Sequence, residues 1–210
     1  MIYKVSDIVR DVRIALDQNM KGDQLLLTGD IDTLSLDEII RSKIVEGVRR
    51  VEIEAPTHLL EEGHTFGDAV FWGEHESGWV LLPDDFMRLI AFRMNDWERT
   101  VYSAISVDDD EYAKQSSRYK GIRGNIQQPV CAIVTRQEGK ALEFYSCKDK
   151  TAQVVRASYI PYPCIDENGG VDISERCHTS VIYRIASLVL LTYGDAEKAS
   201  IMENLSKSIL

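Results

Sequence analysis

The sequence predicts an α+β fold: a helical bundle layer, made by two N-terminal and two C-terminal helices, over a small antiparallel β-sheet. Three observations predict it. Apolar residues recur at one-face helical spacing across 1–56 and again across 174–210. Short β-branched and aromatic runs, bounded by turn residues, fill 66–163. The connections between those runs are short, which favours antiparallel pairing. A chain of 210 residues, 44% of them hydrophobic, can bury a full core without metals or disulfides. The reading is a single domain: 1–56 helical, 66–163 β-rich with a long loop over 106–129, and 174–210 helical.

The first helix is expected to start near Ser6, a good N-cap residue, with Val5, Ile8, Val12, Ala15 and Leu16 along one face. It should fade by residues 20–22. A short apolar patch of unassigned type follows at 25–27. The second helix has the clearest start signal. Ser35-Leu36-Asp37-Glu38 fits the reciprocal Ser-x-x-Glu capping box, with Leu34 and Ile39 placed as a hydrophobic staple. Ile40, Ile44, Val48 and Val51 continue the face, and Ala55-Pro56 ends it. Gly47 interrupts this helix at a cost of about 1 kcal/mol relative to alanine, so close packing against another helix is expected there. Residues 57–77 read as a loop with one short strand near 69–72.

The stretch from Trp79 anchors the core in this reading. Trp79 to Leu82 is an apolar run halted by Pro83, whose ring pushes the preceding residue into extended geometry. Asp84 and Asp85 suit a helix N-terminus, and Phe86, Leu89 and Ile90 follow at helical spacing. The reading is therefore strand, proline stop, short helix, and a second strand over 91–101.

A long polar segment without apolar periodicity covers 106–128. A loop of that length inside a domain is usually functional, and the expectation is an arm that packs on a neighbouring copy. Strands are expected at 130–135, 141–147 and 154–160, with Gly139 at positive φ in the first turn. Asn168-Gly169-Gly170 is a turn. Ile173, Cys177, Val181, Ile185, Leu188, Val189 and Thr192 form one helical face, and further apolar residues on the other faces mark a buried helix. Gly194 suits a left-handed cap, and Asp195 caps a last helix with the stripe Ala199, Met202, Leu205 and Ile209.

The formal net charge is −10. Tight wrapping of nucleic acid normally needs a basic stripe. An acidic surface instead lets DNA slide past, or simply keeps the protein soluble. The four cysteines form no Cys-x-x-Cys pair, no apolar run approaches the ~20 residues of a membrane span, and the first residues lack a signal-peptide pattern. A protein made in the cytoplasm with reduced thiols is expected.

The central stretch carries a resemblance. An apolar strand running into Leu82-Pro83-Asp84-Asp85-Phe86-Met87-Arg88-Leu89, followed by Trp97-Glu98-Arg99-Thr100-Val101, resembles the head-to-tail connector (adaptor or ring) proteins of short-tailed bacteriophages, the ring proteins of crAss-like phages among them. The succession afterwards is similar: a polar loop, a β-meander, Tyr159-Ile160-Pro161-Tyr162-Pro163, then two closing helices. The resemblance covers about the last two-thirds of the chain. It implies a structural virion protein without enzymatic activity or cofactor. Identical copies would form a dodecameric ring below the portal protein, dock a downstream tail or ring protein, and pass genomic DNA without sequence-specific binding. Such a ring needs a heterologous interface whose rotation closes. Asp108, Asp109, Arg118, Tyr119 and Arg123 of the polar loop, with Ile185 and Leu188 of the apolar helix, are the candidate interface residues.

Four other patterns fall short of a site. Cys164, Cys177 and His178 lack the paired spacing of a structural zinc site. Consecutive acids Asp108 to Glu111 fan out instead of converging on a cation. Asp30-x-Asp32 opens like a calcium loop but fails at Leu34 and Ser35. Gly121-Ile122-Arg123-Gly124 matches a Gly-x-x-Gly nucleic-acid loop without the flanking helices. Two alternatives stay open: a hydrolase using Asp84, Asp85 and loop histidines (His58, His64, His75), and a nucleic-acid module using Arg118, Lys120 and Arg123.

Overall fold

The structure, a computed structural model, describes residues 1–16, 34–145 and 147–210. The expected end of the first helix, the apolar patch at 25–27 and the Asp30-x-Asp32 pattern lie outside the described residues. Among those described, the fold is mixed α/β, with five helices and three sheets of two, three and five strands. This corrects the expected bundle layer over a small sheet. The helices are not a bundle, and the sheets are larger and more numerous than one small sheet.

The chain divides into two compact units. The first combines Met1–Glu61 with Pro163–Leu210. Strand β1 (Ile2–Lys4) runs directly into helix α1 (Val5–Ala15). No side chain caps α1, contrary to the expectation for Ser6; the Val5 amide donates instead to the Gly169 carbonyl at 2.9 Å. Helix α2 (Leu36–Glu54) has the expected capping box on Ser35 and Glu38 and ends at Ala55.

The second unit, Glu62–Tyr162, holds the larger sheets. Its strands are β2 (His64–Thr65), β3 (Val70–Trp72), β4 (Gly78–Leu81), β5 (Phe86–Met94) and β6 (Ile105–Ser106). Helix α3 (Asp110–Lys114) follows, then β7 (Cys131–Arg136), β8 (Gly139–Phe144) and β9 (Val154–Pro161). Back in the first unit come β10 (Gly170–Asp172), α4 (His178–Thr192) and α5 (Ala196–Ile209).

In the first unit, β1 pairs antiparallel with β10, Tyr3 opposite Val171. Helix α4 is central, contacted by α1, α2 and α5, and is buried on several faces. Gly47 explains itself here: a Cβ at that position would stand 2.4 Å from Ile185 Cγ1. Toward α5 the contacts are polar. Ser180 Oγ donates to the Ser206 carbonyl at 2.8 Å, Ser206 Oγ donates back to the Ser180 carbonyl at 2.9 Å, and Ser187 Oγ donates to the Ala199 carbonyl at 2.8 Å. Arg184, its side chain 3% exposed, reaches Glu54 at 2.6 Å and Glu203 at 3.3 Å.

In the second unit one sheet has the order β2-β9-β5 and the other β3-β4-β8-β7-β6. Phe66, Phe92, Met94 and Trp97 meet Val80, Leu142 and Phe144 in one core cluster. Phe92 packs edge-on against Trp97 at 5.7 Å and stacks on Phe144 at 5.9 Å. The helix expected after Asp85 is instead the nine-residue β5. Its register against β9 shifts between Phe86 and Arg88 and between Leu89 and Ala91. Bulges of this kind break the period of two, so Phe86, Leu89 and Ile90 are all buried, at a spacing that imitates a helical face. The expected meander also fails at its third member. β7 and β8 pair as a hairpin with Gly139 at φ 132°, but β9 pairs with β5 and β2. Residues 57–77 supply two strands where one was expected.

Candidate functional site

The functional features with most definition lie in the second unit, on the face of the five-stranded sheet opposite its main core. Alternation along β8 sends Leu142 and Phe144 to that core and Ala141, Glu143 and Tyr145 to the other face. There Phe71 stacks on Trp79 with ring centroids 5.6 Å apart, and the Arg136 guanidinium lies over the Trp79 ring at 3.8 Å. Glu143 gathers this face together. It pairs with Arg136 and accepts from Tyr145 at 2.7 Å and from Tyr112 of α3 at 3.4 Å. Burial and the neighbouring carboxylate push the Tyr112 hydroxyl up and the Tyr145 hydroxyl well above the ordinary phenol range, so both remain donors.

Tyr112 begins a segment that is laid back against its own unit. Gln115 is buried; its amide nitrogen donates to the Glu111 carbonyl at 2.9 Å and its oxygen accepts from the Gly124 amide at 2.8 Å. Asn125 Oδ1 accepts from the amides of Gln127 and Gln128, both at 3.0 Å. The Glu98 amide donates to the Ile126 carbonyl at 2.9 Å. A segment without apolar periodicity is thus ordered by its own amide side chains.

Arg123 is the buried clamp, 3% exposed. Its Nη2 donates to the His75 carbonyl at 3.2 Å and stands 4.0 Å from the Glu76 carboxylate, which Lys120 also approaches at 3.7 Å. His75 and Glu76 form the β3–β4 turn with φ of 55° and 54°. Two successive side chains in the left-handed region cost energy that surrounding contacts must offset. The Glu76 carbonyl adds one such contact, accepting from the Cys147 amide at 2.8 Å.

The sequence candidates therefore separate. Asp108 and Asp109 are exposed before α3, with Asp109 Oδ2 accepting from the Ser106 amide at 2.7 Å. Arg118 and Tyr119 are exposed, and Tyr119 with Ile122 forms the outer tip of the segment, at 65% and 55% exposure. Arg123 is spent within its own unit. Ile185 and Leu188 are buried inside the first unit, Ile185 against Gly47, and present no free surface to a neighbour. The interface expectation for this helix gives way to an interior role, because three other helices already cover it.

The candidate groups for catalysis and metal binding are dispersed. Asp85 accepts from the Tyr159 hydroxyl at 2.9 Å, burial together with that carboxylate pushes the phenol up to about 12, and His64 lies edge-on to Tyr159 at 5.6 Å. Asp84 lies instead with Glu138 and Lys140. His178 stacks on Tyr3 at 4.2 Å, and burial pushes its imidazole below the ordinary range. Cys177 is buried and Cys164 exposed. Among the described residues no three His, Cys, Asp or Glu side chains gather as a metal ion requires. Gly121 to Gly124 lies between turns, not between two helices, and a Cβ on Gly124 would press on Val130 at 3.0 Å.

Two shallow grooves, of about 330 and 420 Å³, flank the Leu81-Leu82-Pro83 step at the end of β4. Asp68 and Phe71 border one; Asp84, Glu138 and Lys140 border the other. Sequence reasoning missed these grooves as a site, although the acids around a Leu-Leu-Pro step were visible. No family model matches the chain, and no curated protein matches it.

Proposed function

We propose that the chain is a structural component of a bacteriophage head-to-tail connector. In this reading identical copies form a ring below the portal, extend the channel that DNA traverses, and offer a docking surface to the next tail component. The protein works by assembly and as a conduit, within the virion, with no bond chemistry. The succession of segments from Leu82 to the closing helices supports it. One observation from the structure carries most weight: a polar segment fastened to its own body by Gln115, Arg123 and Asn125 nevertheless turns Tyr119 and Ile122 outward. The Ile122 amide donates to the Tyr119 carbonyl at 3.0 Å, so the two exposed residues share one turn, and grouped apolar exposure is informative where lone exposed side chains are ordinary.

The nucleic-acid alternative is less supported, because Lys120 and Arg123 both lie at the Glu76 carboxylate. The test is electron microscopy with native mass measurement on the full chain, across a concentration series up to its solubility limit. Class averages with cyclic symmetry and an open bore are expected. A single monomeric mass at every concentration, with no particles of higher symmetry, would overturn the proposal.

A further inference from the structure

The second unit carries a knob and a hole of complementary chemistry at opposite ends of one sheet. The knob is Arg118, Tyr119, Lys120 and Ile122, exposed at the segment tip. It combines two large apolar side chains with the cation Arg118, while Lys120 lies at the Glu76 carboxylate at 3.7 Å. The hole is the pair of grooves at Leu81, Leu82 and Pro83, whose rim holds Asp68, Asp84 and Glu138 against one cation, Lys140. All four of these charged residues are exposed.

Their placement follows from the strand between them. The knob is fastened at the β3–β4 turn, through Lys120 to Glu76 and Arg123 to the His75 carbonyl. The grooves lie where β4 runs out, beside the β7–β8 turn, since Leu81 pairs with Ala141 and Arg136 with Gly139. The four residues of β4 span about 13 Å at the usual strand rise. One copy cannot bring its own knob to its own hole while the segment stays docked. A second copy can, and the contact repeats head to tail.

We infer that copies of this chain join by seating the Tyr119–Ile122 knob of one in the Leu81–Pro83 grooves of the next. The occupant is a second copy because both halves sit on every chain, with opposite charge at their rims. Such a contact is heterologous, the type that closes into rings when its rotation permits. This inference rests on the connector reading and names the surface that reading needs.

The test uses the full chain with Cys164→Ser, which removes the one exposed thiol of the four. Arg118→Cys is carried by one preparation and Glu138→Cys by another, and the two are mixed under mild oxidation. Cross-linked heterodimer is expected at least tenfold above the homodimer of either preparation alone. Reversing the rim charges on one side, by Asp84→Lys with Asp68→Lys, should lower that yield severalfold. Homodimers in equal amount, or no heterodimer, would overturn the inference. If the unmodified chain forms rings while the mixture stays uncrosslinked, this contact is wrong and the connector reading survives. If neither appears, both fall.

Discussion

Helix α4 and the segment from Val107 to Gln128 make opposite use of their composition. The helix is among the most apolar stretches of the chain, and the first unit consumes it: Val181, Ile185 and Val189 have no accessible surface. The segment is among the most polar, yet it shows solvent Tyr119 and Ile122 while burying Gln115 and Arg123. Helix α5 repeats the lesson. It buries Ala199 and Ser206 against α4 and leaves Ile201, Leu205 and Ile209 exposed. Apolar content marks what the interior needs; a contact surface is marked by apolar side chains that the chain's own packing leaves uncovered.

The comparison breaks most visibly at Ile185. Ile185→Ala should cost about 2–5 kcal/mol of unfolding free energy by removing a fully buried side chain, read from denaturant melts. Adding Gly47→Ala should cost less in that background than in the parent chain, because the new methyl enters the vacated space.

Glu52, buried on α2, makes the stability of the first unit depend on pH. Burial holds its carboxyl up at about 7, although the Ser174 amide donates to it at 3.2 Å. A folded-state affinity for protons above the unfolded value contributes stability that is present below about pH 4.5 and lost as pH rises through about 7. Stability should therefore fall by roughly 3 kcal/mol between pH 5 and pH 8, and Glu52→Gln should remove most of that fall in melts across this range.

Arg184→Ala should cost about 2 kcal/mol, less than a fully buried ion pair, because its partners Glu54 and Glu203 are 41% and 39% exposed. Thermal unfolding of Arg184→Ala beside Arg184→Met distinguishes the charge from the packing. Smallest of all, Tyr119→Ser with Ile122→Ser should change monomer stability by less than about 0.5 kcal/mol while abolishing association. A large destabilisation would show that the tip packs internally.

Much of the first unit was legible, because its signals are local. The Ser35–Glu38 box, the Gly194 turn at φ 79° and the Asp195 cap, which accepts from the Lys198 amide, all follow from nearby residues; Gly47 announced close packing, but not that Ile185 would supply it. The stripe expected on α5 was only half right. α4 offers it Ser180, Arg184 and Ser187, so Ser206 turns inward and Leu205 and Ile209 do not. The second unit was less legible because its decisive pairings are distant. β9 leaves its neighbour β8 for β5, and two bulges disguise β5 as a helix. The grooves at Leu81 to Pro83 were illegible for the same reason: Glu138 reaches them only through the β4–β8 pairing.

Hydrogen exchange of the dilute and the concentrated chain compares the two regions directly. The account predicts new protection at residues 119–122 and 81–84 on association, with α4 equally protected throughout. Protection gained at α4, with the tip still exchanging freely, would contradict it.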